Sequence, residues 1–198
     1  MNLLLNPLPK TNKYGQVLRT DFRYWVNFAR ILDDDNIDDL TRIQLALQSV
    51  YINPDFTNIE QLFDGAMDFF RLGEPMLTKH ATGDKLLDFD KDAGHIIVSF
   101  QQQYGIRLMS EHMHWWEFRT LLNGLSDDTI MGFIMHIRSA KITADMSKYE
   151  KERITKMKKI YGLNNGKTAP KLTEEEFIKT LHEQEKELRN TVLKNNQE

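Results

Sequence analysis

Along most of the chain apolar residues return every three or four positions, the spacing that gathers them on one face of a helix. Thr20 or Asp21 is placed to cap a first helix whose stripe runs Phe22, Trp25, Val26, Ala29 and Leu32. The acidic run Asp33-Asp34-Asp35 stops it. A second helix starts at Asn36 with Ile37, Leu40, Ile43, Leu47, Val50 and Tyr51 on one side, and Pro54 closes it. Asn58 caps a third, with Ile59, Leu62, Phe63, Ala66 and Phe70 inward and Gly73 and Pro75 at its end. Residues 73 to about 90 read as a polar loop. Asp90 or Asp92 then opens a fourth helix through Ala93, Ile96, Ile97, Phe100 and Tyr104, ended by Gly105. Trp115, Phe118 and Leu122 mark a fifth, and Ser126 is placed to cap a sixth carrying Ile130, Phe133, Ile134 and Ile137. A basic amphipathic helix spans about 147 to 161.

The two ends read differently. Residues 1–19 carry Pro7, Pro9 and Gly15 and no helical period, and Val17-Leu18 suits a short strand, so an extended arm or small β-hairpin against the body is expected. Residues 163–172 contain Asn164-Asn165-Gly166 and Pro170 and read as a linker. Thr173 with Glu176 then forms a capping box for a charged C-terminal helix bearing Phe177, Leu181, Leu188 and Val192. The expectation is an all-α protein: an N-terminal arm (1–19), a compact core of about six helices (20–162), the linker, and an amphipathic helix (173–198). That last stripe is thin, so the helix is either mobile or completed by a partner.

Composition narrows the chemistry. The 198 residues are 40% hydrophobic and 28% charged, which suits a globular chain and not a disordered one. Cysteine is absent, which excludes a disulfide framework, a thiol nucleophile and a thiolate metal site. No apolar run approaches the roughly 20 residues of a membrane helix. Asp88-Phe89-Asp90-Lys91-Asp92 resembles the start of a calcium loop. However, Ala93 replaces the turn glycine and Ser99 the closing glutamate, so a helix N-terminus is the simpler reading. His112-Met113-His114 lacks the four-residue step of helical zinc motifs, and Asp33-Asp34-Asp35 with Asp38-Asp39 suits a solvated turn. No phosphate loop, nucleophile elbow, dinucleotide fingerprint or catalytic triad is recognisable, so no enzyme activity, cofactor or metal is expected. Lys148, Lys151, Arg153, Lys156, Lys158 and Lys159 make 148–159 basic. Glu150 and Glu152 interrupt them, and Tyr149, Ile154, Met157 and Tyr161 ask for burial, so a solvated face is favoured over a nucleic-acid surface.

Two segments carry a family resemblance. One is Thr20-Asp21-Phe22-Arg23. The other runs from Leu87-Asp88-Phe89-Asp90-Lys91-Asp92-Ala93 through Tyr104-Gly105-Ile106 and His114-Trp115-Trp116-Glu117-Phe118-Arg119. It continues to Gly124-Leu125-Ser126-Asp127-Asp128-Thr129 and Ile137-Arg138. Over most of residues 1 to 162 the chain resembles the tail assembly chaperones of long-tailed bacteriophages and prophages of Gram-positive bacteria, encoded between the major tail protein and the tape measure protein. The resemblance implies a protein of the host cytoplasm that binds the tape measure, keeps it soluble, helps recruit tail-tube protein and is absent from the finished virion. It implies no catalytic residue, nucleic acid or membrane, and it allows self-association in many copies along the client. The alternatives are a tail completion or connector protein kept in the virion, and a small nucleic-acid-binding regulator using helix 148–159.

Candidate contact residues come from helical geometry. Trp115 and Trp116 point about 100° apart. Trp115 shares a stripe with Phe118 and Leu122, which leaves Trp116, with Arg119, as the candidate for partner contact, although large aromatics are more often buried. Met109, Met113, Met131 and Met135 form an adaptable cluster whose plainer reading is core filling, with Met109 and Met113 the candidates for contact. Phe177, Leu181 and Leu188 complete the set.

Overall fold

The computed structural model describes residues 3–74 and 85–163. Over these residues the chain forms seven α-helices: α1 Phe22–Leu32, α2 Asp39–Val50, α3 Ile59–Phe70 (entered through a 3-10 turn, Phe56–Asn58), α4 Ala93–Tyr104, α5 Trp115–Asn123, α6 Ile130–Ser139 and α7 Lys148–Tyr161. No strand forms among the described residues. The expected helix 173–198, with Phe177, Leu181 and Leu188, lies outside them, as does nearly all of the linker.

The order of contacts divides the core into two groups. α1 packs on α2 and α2 on α3; α4 packs on α6 and α6 on α7; α5 touches both α1 and α4 and joins the groups. α5 can do this because its first turn is aromatic. Trp115 stacks on Phe70 (ring centroids 5.0 Å apart), Phe118 stacks on both Phe22 (4.5 Å) and Phe100 (5.3 Å), and Trp25 stacks on Phe69 (4.7 Å). The two indoles of α5 also have a polar task. Trp115 Nε1 donates to the carbonyl of Phe70 (3.0 Å) and Trp116 Nε1 to that of Phe69 (2.9 Å). Phe69 and Phe70 end α3, where carbonyls lack partners inside the helix, so the tryptophan pair serves as a C-terminal cap supplied from another element.

The N-terminal arm is held by scattered backbone bonds, among them Leu18 N to the Lys10 carbonyl and Ile52 N to that of Val17, together with one buried side chain. Three isolated antiparallel bridges occur (Thr11 with Val17, Leu18 with Tyr51, Asp21 with His114), and the expected β-hairpin is not shown. The buried Asn12 takes its place. Its Oδ1 accepts from the amides of Tyr14 and Gln16, and its Nδ2 donates to Tyr51 Oη (2.8 Å) and Gln16 Oε1 (2.7 Å). Tyr51 Oη donates in turn to the Leu62 carbonyl (2.7 Å). An asparagine that bonds the amides two and four residues on competes with strand pairing, which explains the difference.

Two helix starts depart from expectation, and a third stands where expected but bonds otherwise. α2 begins at Asp39 with Asp38 as its cap, because Asp34 Oδ1 takes both the backbone and side-chain N–H of Asn36 and holds that residue in a turn. The cap of α6 is Thr129 and not Ser126. Its Oγ1 accepts from Gly132 N and donates to the Ser126 carbonyl. Asp92 precedes α4, but its carboxylate does not cap it. It forms a bidentate, buried ion pair with Arg138 of α6 (2.6 and 2.9 Å; side chains 2% and 6% exposed). Arg138 also donates to the carbonyls of Leu86 (2.9 Å) and Tyr161 (2.8 Å), tying α4, α6, the end of α7 and the chain before Asp88 to one guanidinium.

Candidate partner-binding groove

The motif Thr20-Asp21-Phe22-Arg23 and the segment between α4 and α5 are stapled together. Phe22 N donates to the Met113 carbonyl (2.9 Å), and Trp115 N donates to that of Thr20 (2.7 Å). Asp21 caps α1 through Arg23 N and also holds the Arg23 guanidinium (2.8 Å). That guanidinium reaches across to the carbonyls of Leu108 (2.6 Å) and Glu111 (2.8 Å). Gly105, at φ +70°, ends α4 in the left-handed region open to glycine and starts this return. Residues 106–111 therefore stand as a fixed wall beside α4.

Between that wall and α4 lies an open apolar groove of about 420 Å³, lined by Ile97, Val98, Ile106, Leu108 and Met109, with Gln101, Gln102, Arg107 and Ser110 at its edges. A second hollow of about 220 Å³ shares Ile97, Leu108 and Met109 and continues toward α1, over Phe22, Val26 and Ala93. Leu108 is buried and forms the floor. Val98 and Met109 are 55% and 80% exposed, so the groove offers apolar surface to water. The lining includes two arginines, Arg23 and Arg107, and no carboxylate.

Of the four candidate contact residues that are described, one lies on this groove. Met109 is its most exposed apolar side chain, whereas Met113 is 5% exposed and belongs to the core, with Met131. Trp116 is also buried, 5% exposed against 0% for Trp115, which corrects its candidacy as a partner contact. The two rings do diverge around α5, but both directions are covered. Trp115 lies against Trp25 and Phe70, and Trp116 against Phe69 and the end of α3. Arg119 is partly buried, with its guanidinium 5.5 Å from the Trp115 ring centroid and 5.9 Å from that of Phe70. Burial pulls its pKa down, and Glu74 opposes this. Arg119 packs on the aromatic core and away from the groove.

Sequence reasoning missed the wall, and it missed Val98 and Ile106 as contact residues. A signal was available: Ile96-Ile97-Val98 is a run of three apolar residues, which spans more of a helix's circumference than one inward stripe requires. Ile96 faces the core and the other two face outward.

The remaining motifs serve the fold. Asp88 Oδ1 accepts from the amides of Asp90 and Lys91, and Asp92 Oδ2 accepts from that of Asp88, so the calcium-like run is a self-capped turn. His114 caps α5: its Nδ1 accepts from Trp116 N (3.0 Å), which leaves Nε2 to donate to the Pro9 carbonyl (2.9 Å). Burial lowers its pKa, in keeping with a neutral ring in that role. Lys158 of the basic helix donates to the Arg138 carbonyl (3.0 Å), and Ile154 is buried, while Tyr149 is 75% exposed. No described helix is long and apolar enough to cross a membrane.

No curated protein and no solved structure matches the chain. The family model described as Bacteriophage Gp15 protein matches residues 6–163. These include the stapled arm, the aromatic joint of α5, the buried ion pair and both sides of the groove. With that match over most of its length, the chain belongs to the Bacteriophage Gp15 protein family.

Proposed function

We propose that this bacteriophage protein is a tail assembly chaperone, which takes apolar helical segments of the tape measure protein into the groove between α4 and residues 106–111. The observation that carries the reading is the open groove itself, with Val98 and Met109 exposed on a fixed helical frame. A tape measure is long and helix-rich, and before the tail tube encloses it, its apolar stripes are an aggregation hazard. An apolar groove beside α4 covers one helical stripe at a time, in the manner of helix-in-groove recognition. Methionine at the rim adapts to varied sequence. Each contact is modest, so polymerising major tail protein can displace it, while many copies on one client add up. In this role the protein acts in the host cytoplasm, uses no cofactor and leaves the tail before the virion is complete.

The test is co-expression with the tape measure protein. The expected result is a soluble complex that purified major tail protein takes apart. Met109→Asp and Val98→Asp, both surface changes, should abolish the complex while leaving the melting temperature within about 2 °C. A tape measure that precipitates equally with and without the chain would overturn the proposal.

A further inference from the structure

The described part of the chain ends near the start of α4, the helix that carries one side of the groove. Tyr161, the last residue of α7, accepts a hydrogen bond at its carbonyl from Arg138, and the same guanidinium holds Asp92, the residue before α4. The second hollow reaches Ala93, and the groove continues from Ile97 along α4 to Gln102, about 15 Å in all at helical rise. Beyond Leu163 the sequence continues through residues 164–198. Extended, residues 163–172 span roughly 33 Å, ample to pass around one helix of about 10–12 Å diameter.

The sequence of residues 173–192 suits the groove in shape and charge. On a helical wheel Phe177, Leu181, Leu188 and Val192 share one side. Over residues 173–192 the sequence carries six glutamates against two lysines and one arginine. The groove is apolar along its floor and lacks any carboxylate in its lining. Arg23 is already paired with Asp21, whereas Arg107 is exposed and ion-pairs with no described residue. An acidic helix with an apolar face therefore meets both requirements, and one tethered nearby does so at an effective concentration of about millimolar even when the contact itself is weak.

We propose that residues 173–192 of this same chain lie in the groove and leave it when a client helix enters. The release half rests on the proposed chaperone role; the docking half does not. In the docked state Val98 and Met109 are covered by Phe177 and Leu181, and the glutamates approach Arg107. The groove is then shielded from indiscriminate contacts until a longer apolar stripe competes.

The chain has no cysteine, so a disulfide between two introduced ones reports proximity without background. In the full chain, Met109→Cys with Leu181→Cys is compared with Tyr149→Cys with Leu181→Cys. Tyr149 is about as exposed as Met109 (75% against 80%) but lies on α7, away from the groove. Under mild oxidation at high dilution, the 109–181 pair should close within one chain at least about tenfold faster than the 149–181 pair. Leu181→Asp should raise amide exchange over residues 97–109 in the full chain and increase the tape measure it captures. Equal closing rates overturn the proposal, as does a product that is mainly disulfide-linked dimer at every dilution, since the occupant is then a second copy. Client capture that Met109→Asp abolishes, with equal closing rates, removes self-docking and keeps the client role of the groove. Fast closing without client capture removes the client role and keeps self-docking.

Discussion

Replacing Arg138 with methionine keeps much of the side chain's length and removes its charge. The Asp92 carboxylate, 2% exposed, then loses both guanidinium bonds and keeps only the Asp88 amide, while the carbonyls of Leu86 and Tyr161 lose a donor each. Removing one partner of a buried ion pair costs about 3–5 kcal/mol, because the other charge stays in a poorly solvated site. For a chain of this size each kcal/mol lowers the melting temperature by about 2–4 °C, so the expected loss is roughly 6–20 °C. Urea unfolding followed by tryptophan fluorescence suits the measurement, since Trp25, Trp115 and Trp116 are all buried in the core. The denaturant slope should not change. Asp92→Ala alone should cost less, because Arg138 keeps its two carbonyl partners. The double variant should cost less than the sum of the singles, with a coupling of at least about 1 kcal/mol. A loss under about 1 kcal/mol for Arg138→Met, or strict additivity, would refute the view that this pair holds α4, α6 and α7 together.

Single contacts elsewhere give three more tests. His114 has a depressed pKa, so below about pH 6.5 the unfolded chain takes up a proton that the folded ring resists. Its contribution is complete above that pH and is lost as pH falls toward the folded value. His114→Asn keeps a capping oxygen and should flatten melting temperature against pH between about 6.5 and 5; an unchanged profile would reject the neutral-cap assignment. Gly65→Ala places a methyl 2.1 Å from Asn12 Nδ2, displacing the group that bonds Tyr51 and Gln16. A loss of about 2–3 kcal/mol and faster proteolysis of the arm are expected, and wild-type stability would show that Asn12 is not its anchor. Trp116→Phe keeps a ring against Phe69 but removes the donor to its carbonyl, and should cost about 1–2 kcal/mol. If this variant lost client with stability intact, Trp116 would be a contact residue after all.

The fold class was legible because it depends on local periods. Asp21 and Asn58 cap where the spacing places them. The basic helix opens close to its expected start, on a capping box of Ser147 with Glu150 that sequence reasoning missed. Gly105 takes the left-handed conformation its position calls for. The misses share a cause. Ser126 and Asn36 resemble helix starts, but Thr129, three residues on, and Asp34, two residues back, take over or displace those roles. Asp92 does stand at the start of α4, yet its carboxylate goes to Arg138, 46 residues away, and not to the helix amides. A hydrophobic wheel also assumes that a helix has one covered side. α5 has two, so both tryptophans are buried and an argument from their angular separation chose the wrong side of the molecule.

That error changes where function is sought. The residues that make this sequence distinctive, Thr20 to Arg23, the tryptophan pair, Asp92 and Arg138, mostly connect elements that are distant along the chain. Arg23 fixes the wall at Leu108, the indoles close α3, and Arg138 gathers three helices. Their common effect is a frame rigid enough for α4 to keep Val98 outward and for residues 106–111 to hold Met109 beside it. The surface so presented needs only to be apolar and open, which is a requirement on shape more than on residue identity. Under the proposed chaperone role that division is an advantage: a strictly specified frame carries a contact face whose side chains are free to be merely hydrophobic, which suits a client of varied sequence.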